Sequence, residues 1–413
     1  MARLILFLYR VAFNIVIWPA CLYLFRHPNF KGTIAARFGR GLPKIPEGRK
    51  VLWLHASSVG EVKAVSGLIE KMKKDRENLF ICLTVGTVTG RDVAGGVKGV
   101  DLIIPFPFDL KWVMNRYMDW LSPEALIVVE TEIWPNLIMA AKDKGVHVIF
   151  VNARMSKGAF DRYARMSSFM KMILKDTHVF SIAHKDAARF SALGAGDVRV
   201  VGNLKLDSMK LPELARRKSL KQRLGILDRP VFIAGSIREG EEKYVIDAIK
   251  YASLRIPRLF SIVAPRHLDR VGYITDMINA LNMRWGLRSS GDLDVDLIIV
   301  DTFGELFDLY GISDVAFVGG SLLDLGGQNI LEPVAWGVPT IHGAYMDNFI
   351  WAVDAVDGFT IQADNPDELG RVMCKVFDDV DSYQGMAIKA RKCLGKASGI
   401  TDQYMDALDR YFR

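Results

Sequence analysis

The stretch VLWLHASSVGE, residues 51–61, decides the architecture. Its first six residues are apolar and rich in strand-forming types, and they stop at small residues closed by Gly60-Glu61 ahead of a helical pattern. A buried strand that turns through small residues into a helix is the first half of a βα unit. Working outward, LFICLT (79–84), DLIIP (101–105), EALIVV (124–129) and VHVIFVN (146–152) repeat the same short apolar form between helical stretches. The spacing predicts a parallel sheet. A charged stretch from Lys210 to Arg229, with Pro212, Gly225 and the run ARRKSLKQR, interrupts the pattern and reads as a linker followed by a short basic helix. The pattern then restarts with VFIAG (231–235), LFSIVA (259–264), LIIV (297–300), DVAFVG (314–319) and VPTI (338–341).

The expected fold is therefore α/β, with two doubly wound Rossmann-like domains facing a cleft and an added N-terminal membrane helix. The expected divisions are a membrane-anchoring helix over residues 1–26, an N-terminal domain over 27–209, a linker over 210–229, a C-terminal domain over 230–390, and a C-terminal helix over 391–413 packing back on the first domain. A length of 413 residues suits two such domains. Half the residues are hydrophobic and a quarter charged, which excludes a disordered or collagen-like chain. Cys21, Cys82, Cys374 and Cys393 show no C-x-x-C spacing, so neither a disulfide framework nor a zinc knuckle is indicated.

Charge is unevenly spread. Between Arg26 and Lys50 lie seven basic residues against Glu47 alone, nearly the whole of the formal net charge of +7. Ahead of them runs LILFLYRVAFNIVIWPACLYLF (4–25), without an acid and long enough at ~1.5 Å per residue to cross a ~30 Å hydrocarbon layer. Arg3, Arg10 and Asn14 share one helical stripe, which favours a helix lying in the interface. A basic excess beside an apolar helix reads as contact with anionic membrane lipid rather than nucleic acid, for which there is no motif. A buried core helix is the alternative.

In open α/β sheets ligands bind beyond the carboxyl ends of strands. After the first strand, Glu61 sits at a helix start, where it can act as general base toward a bound hydroxyl or simply cap the helix. His55 reads first as a satisfied strand-end histidine. Glu130 and Glu132 end an apolar strand, where carboxylates cost solvation unless they face the site or find partners; capping ahead of Pro135 is the alternative. Gly202-Asn203-Leu204-Lys205 brings an ammonium to the end of VRVV. The second half offers Gly235 to Glu241, Pro265-Arg266-His267, Gly304-Glu305, Gly319-Gly320-Ser321 and Gly326 to Pro333. Exposed N–H groups and an Arg suit phosphate, and Glu332 suits ribose hydroxyls, so together they describe a nucleotide pocket. No Walker A loop, G-x-G-x-x-G or G-x-S-x-G follows a strand, which argues against an NTPase, a dehydrogenase or a serine hydrolase. The run from Asp292 to Asp296 precedes its strand and reads as a solvated loop, so no metal is expected.

Taken in order, HASSVGE, TVTG (87–90), ETEIWPNL, VNARMS, GNLKLD, GSIREGEE, APRH, FGELFDLY, FVGGSL and GGQNILEP resemble the 3-deoxy-D-manno-octulosonic acid (Kdo) transferases of lipopolysaccharide assembly. The likeness runs along nearly the whole chain. Val88, Ala264, Phe303 and Gln328 depart from the family's usual Pro, Val, Met and His. The resemblance implies the GT-B glycosyltransferase fold, an inverting transfer of Kdo from CMP-Kdo to the lipid A precursor, and a membrane-associated enzyme. If the N-terminal helix spans, the Lys/Arg excess after it puts the domains on the cytoplasmic face of the inner membrane. It implies Glu61 as proton acceptor and Glu130 or Glu132 with Lys205 as transition-state support, with Glu130 favoured because it ends the strand. CMP would contact Pro265, Arg266, Phe303, Gly304, Glu305, Asn329, Ile330, Leu331 and Glu332, without cofactor. The rival readings are a lipid-directed transferase using a UDP-sugar and a membrane-tethered nucleotide-binding protein without catalysis.

Overall fold

The apolar runs become strands of two seven-stranded sheets, every neighbouring pair parallel. The computed structural model describes residues 1–412 except 25, 28, 29, 31, 208, 210, 224, 227, 282, 292 and 293, with only the backbone of 22 and 223. It divides into two units, Met1–Ser208 with Gly399–Arg413, and Met209–Ser398.

The first sheet comprises β1 (Lys50–Ala56), β2 (Leu79–Val85), β3 (Leu102–Pro105), β4 (Ala125–Val129), β5 (His147–Ala153), β6 (His178–Ser181) and β7 (Asp197–Val200), in the order β3-β2-β1-β4-β5-β6-β7. The chain winds outward from β1 to one edge and then returns to start β4 on the other side of β1. That neighbouring pair is the topological switch point. The second sheet comprises β8 (Val231–Ile237), β9 (Phe260–Pro265), β10 (Trp285–Leu287), β11 (Leu297–Ile299), β12 (Val315–Val318), β13 (Thr340–Gly343) and β14 (Ile361–Ala363), in the order β10-β11-β9-β8-β12-β13-β14. Its switch lies between β8 and β12. Each sheet has two more strands than its half's set of long apolar runs. Of these, β7 falls on the strand-like VRVV, whereas β10 and β14 are edge strands of three residues, mostly part-buried, so they carry no continuous hydrophobic signal.

Helices cover the faces by ordinary amphipathic logic. In the helix Val59–Asp75 the Ser58 hydroxyl caps the N-terminus, Lys73 and Lys74 lie in the last turn, and Val62, Val65, Leu68, Ile69 and Met72 face the sheet. The cores gather around Trp53, Tyr117 and Phe150 in one unit and Phe232, Phe317 and Ile341 in the other.

The N-terminal helix, Ala2–Leu24, is long and apolar enough to cross a membrane, yet one face is packed on the first unit. Leu6, Ile17 and Cys21 are buried, while Leu4, Phe7, Leu8, Val11, Ile15 and Trp18 are exposed. The expected polar stripe does not all face water: Arg10 Nε donates to Asn136 Oδ1 at 2.8 Å, and the Tyr9 hydroxyl donates to Asp109 at 2.8 Å. Asp109 is itself buried and receives the backbone N–H groups of Asn136 and Leu137. Tyr9 and Arg10 thus clasp the protein, while Asn14 bonds back to Arg10 O within the helix and Arg3 stays exposed beside a largely apolar free face.

The far end of the chain also differs from expectation. A helix runs unbroken over Val380–Lys396, burying Ala387, Ala390 and Leu394, and Arg391 donates to the carbonyls of Pro212 and Ala335 within the second unit. The chain leaves that unit at Gly399, in the left-handed region at φ +87°, rather than at 391. Only the following helix, Ile400–Leu408, and the residues after it belong to the first unit. The stretch read as a linker is likewise part of the second unit: in the helix Arg216–Arg223, Lys221 pairs with Asp314 and Arg217 donates to Gly311 and Ser313 carbonyls.

Candidate active site

At the switch of the first sheet, the residues leaving β1 and β4 come together. Glu61 is nearly buried, with Oε2 accepting the Ser57 N–H at 2.7 Å and Oε1 accepting the Ser58 hydroxyl at 2.9 Å. Its own N–H turns back to Ser58 Oγ, so the capping reading holds as geometry. Capping does not exhaust it. Burial pushes the Glu61 carboxyl up to about 7, opposed by the Ser57 N–H and the Ser58 hydroxyl and reinforced by the negative charges of Glu130 and Glu132. Glycines let these loops touch: a Cβ on Gly86 would lie 2.8 Å from Ser57 Oγ, and one on Gly90 2.7 Å from Val85.

Glu130 follows β4 with φ +58°, a left-handed conformation that costs an L-residue roughly 1–2 kcal/mol. Its N–H still bonds Val151 O at 3.0 Å, so the twist redirects the side chain without ending the ladder early. The carboxylate accepts from Arg154 Nε at 2.8 Å and Lys205 Nζ at 3.3 Å. Glu132 has other company. It accepts from Trp134 Nε1 at 2.8 Å and lies 3.9 Å from His55 Nε2. Burial raises its carboxyl, but His55 and the Trp134 N–H outweigh this and hold it below the usual range. His55 is fully buried, stacks on Phe106 with ring centres 3.8 Å apart, and has Nδ1 at 3.1 Å from Thr84 O. The geometry thus separates the two carboxylates, of which the sequence reading favoured Glu130 as the end of its strand: Glu130 is the one beside Lys205.

The second unit places Arg266 and Glu332 together at the ends of β9 and the GGQNILEP turn. Burial raises the Glu332 carboxyl, countered by a hydrogen bond from Asn329 Nδ2 at 3.3 Å and by the Arg266 charge. Asn329 Oδ1 also accepts the Leu331 N–H, while the Ile330 and Leu331 side chains are in the core, so only their backbone can meet a ligand. Phe303 is 83% exposed and Gly304 has open space around it. Glu305 is held by Arg288 at 3.1 Å and by the Thr302 hydroxyl. Gln328, one of the four departures, packs beside Gly320.

Two expectations change. The N–H groups of Gly320, Ser321 and Leu322 are already taken by the buried carboxylate of Glu241, which also receives the Arg238 N–H. Arg37, counted with the lipid-facing basic residues, is buried and donates to the carbonyls of Gly86 and Phe106. Of the acidic run before β11, Asp294 and Asp296 pair with Arg284, and Asp292 lies outside the described residues. Sequence reading missed Arg154, Trp134 and Asp109. Arg154 and Trp134 lie within quoted motifs. Arg154 meets Glu130 and Asp109 meets Tyr9, Asn136 and Leu137 only through distant contacts that leave no local signal, whereas Trp134 lies two residues from its partner Glu132.

Known proteins bear on this arrangement. The family model described as 3-deoxy-D-manno-octulosonic-acid transferase (kdotransferase) matches residues 33–208. The 3-deoxy-D-manno-octulosonic acid transferase of Bordetella pertussis is 30% identical over 391 residues, covering 91% of this chain and 90% of that protein. The chain belongs to the Kdo transferase family. The Kdo transferase of Haemophilus influenzae is 29% identical over 94% of this chain and 93% of its own length. A solved glycosyltransferase from Rickettsia africae superposes with a TM-score of 0.61 at 12% identity, over 88% of this chain and 98% of that one, which bears on the fold alone. That fold is GT-B, two parallel α/β sheets of the glycosyltransferase kind. As a Kdo transferase the chain is a glycosyltransferase, and the family implies a Kdo donor and a lipid A-type acceptor. The matched span 33–208 is the one that holds Glu61, Glu130, Glu132 and Lys205.

Proposed function

We propose that this Kdo transferase moves Kdo from CMP-Kdo to the lipid A precursor with inversion, using Glu61 as proton acceptor, on the cytoplasmic face of the inner membrane. The observation that carries the reading is Glu61: a nearly buried carboxylate at the switch point, whose proton affinity is matched to neutral pH. In a direct displacement the acceptor oxygen bonds to the anomeric carbon as the bond from that carbon to the CMP phosphate oxygen breaks. The acceptor proton goes to Glu61 and the electron pair leaves with CMP.

Glu130 and Lys205 support the transition state as a charge-balanced pair, with Arg154 holding the other edge of the carboxylate. Arg266 meets the phosphate, and Glu332 with Asn329 meets the ribose. Phe303, Gly304, Glu305 and the backbone of residues 330–331 complete the CMP site beside Pro265. The apolar free face of the N-terminal helix sinks into the lipid boundary with Arg26, Arg40, Lys44 and Arg49 at headgroup level. A helix already clasped by Asp109 and Asn136 along one side lies in the interface rather than crossing it alone.

The test is transfer from freshly generated CMP-Kdo to tetraacyl lipid A precursor by purified protein in detergent, with Glu61→Ala alongside and products resolved by mass. Kdo-sized mass increments in the wild type alone are expected. No increment, with CMP displaced by UDP, would point to a UDP-sugar enzyme; no increment with CMP binding intact would point to a non-catalytic protein.

A further inference from the structure

Lys205 stands on a three-residue 3-10 helix, Leu204–Leu206, too short to hold its own shape. Its position must be imposed from outside. Asn203 Oδ1 accepts the Lys205 N–H at 3.0 Å, and Asn152 Oδ1 accepts the Leu204 N–H at 3.0 Å. Asn152, next to last in β5, lies beside Glu130, and both residues have left-handed backbones, φ +51° and +58°. Neither conformation persists without support from neighbours.

That support comes from the last helix of the chain. The fully buried Tyr404 hydroxyl accepts the Asn152 N–H at 3.0 Å and shares its proton between Gly202 O at 3.0 Å and Phe180 O at 3.2 Å. One oxygen therefore joins the residue that orients Leu204 to the residue that opens the Lys205 segment. Asp207, at the segment's other end, accepts the N–H groups of Gly399, Ile400 and Thr401 that begin the helix Ile400–Leu408. At Gly202 the fit is close: φ is +115°, and a Cβ would lie 2.7 Å from Ile400 Cδ1.

We infer that Tyr404 is a positioning residue for Lys205, so that the C-terminal helix belongs to the transfer machinery as well as to the fold. The inference rests on the role proposed for Lys205 and goes beyond it. The Lys205 Nζ to Glu130 distance of 3.3 Å is at the outer edge of a charge-assisted hydrogen bond, and a small shift of the segment breaks it. Glu130 then presents more uncompensated negative charge to Glu61. The other groups facing that cluster stay in place, the Arg154 guanidinium on Glu130 and the His55 imidazole near Glu132.

The experiment compares full-length Tyr404→Phe, Asp207→Asn and Lys205→Ala with wild type in the transfer assay, normalised to folded protein. For Tyr404→Phe, kcat should fall about tenfold to a hundredfold with donor KM little changed. The acid limb of its pH–rate profile should move up by about half a unit as Lys205 withdraws from Glu130. Asp207→Asn, which loosens the helix start and leaves the tyrosine intact, should shift both readouts the same way by less, and serves if Tyr404→Phe does not fold. A lower melting temperature with unchanged kcat and pH profile in both variants would make Tyr404 merely structural. An inactive Lys205→Ala beside such variants would overturn the positioning role alone, whereas a fully active Lys205→Ala would overturn both readings.

Discussion

Glu61 of the first unit and Glu241 of the second each follow a glycine shortly after the opening strand of their sheet, next to that sheet's switch point. Both are buried carboxylates at a helix start. Glu241 accepts four backbone N–H groups, from Arg238, Gly320, Ser321 and Leu322, at 2.6–2.9 Å. Glu61 accepts one backbone N–H and one hydroxyl, and faces two further carboxylates. The same local sequence form therefore yields two different groups. With its lone pairs filled by rigid dipoles, Glu241 pins the β8 and β12 turns together. With fewer donors and like charges nearby, Glu61 retains capacity to take a proton.

The largest effect that would break this comparison is loss of chemistry. Glu61→Gln should lower transfer by roughly 10²–10⁴-fold with the fold intact, measured as turnover per folded molecule. Near-normal turnover would return Glu61 to a helix cap. Glu241→Gln should act on stability instead, leaving N–H groups unpaired at a cost of roughly 2–4 kcal/mol in a denaturant midpoint. An unaffected midpoint would remove the contrast.

A smaller effect sharpens the comparison through pH. The folded Glu61 value of about 7 lies above the ordinary 4.5. Below about 4.5 both folded and unfolded chains carry the proton, and stability from this group is complete; as pH rises toward 7 the unfolded chain deprotonates first and that stability is lost. Glu61→Gln removes the titration, so at pH 8 the variant should be more stable than wild type by roughly 1–3 kcal/mol. The wild-type rate should rise with pH through an acid limb near 7, since only the deprotonated form accepts a proton. The smallest effect belongs to the donor side, where Arg266→Ala should raise donor KM about tenfold with kcat little changed, because Arg266 is exposed and contributes charge rather than structure.

Much of the molecule was legible beforehand because buried parallel strands must be apolar along their whole length. The runs at 51–56, 79–84, 124–129 and 146–152 declare themselves for that reason, and Glu130 and Glu132 stand out as acids at the end of one of them. The short edge strands β10 and β14 carried no such signal. Arg10 and Arg37 read as lipid-facing charges, since nothing local says that Asn136 or the Gly86 and Phe106 carbonyls await them.

By itself the sequence determined the α/β class, the restart after residue 229, the apolar N-terminal helix, and which motifs leave strand ends, because periodicity and composition act over a few neighbouring residues. Tertiary structure alone decided which carboxylate keeps Lys205, how many donors each buried glutamate receives, and that the last helix reaches back to Asn152 and Gly202. These are contacts between residues up to two hundred and fifty-two positions apart. Proton affinity depends on the partners that folding supplies, and no short stretch of chain contains them.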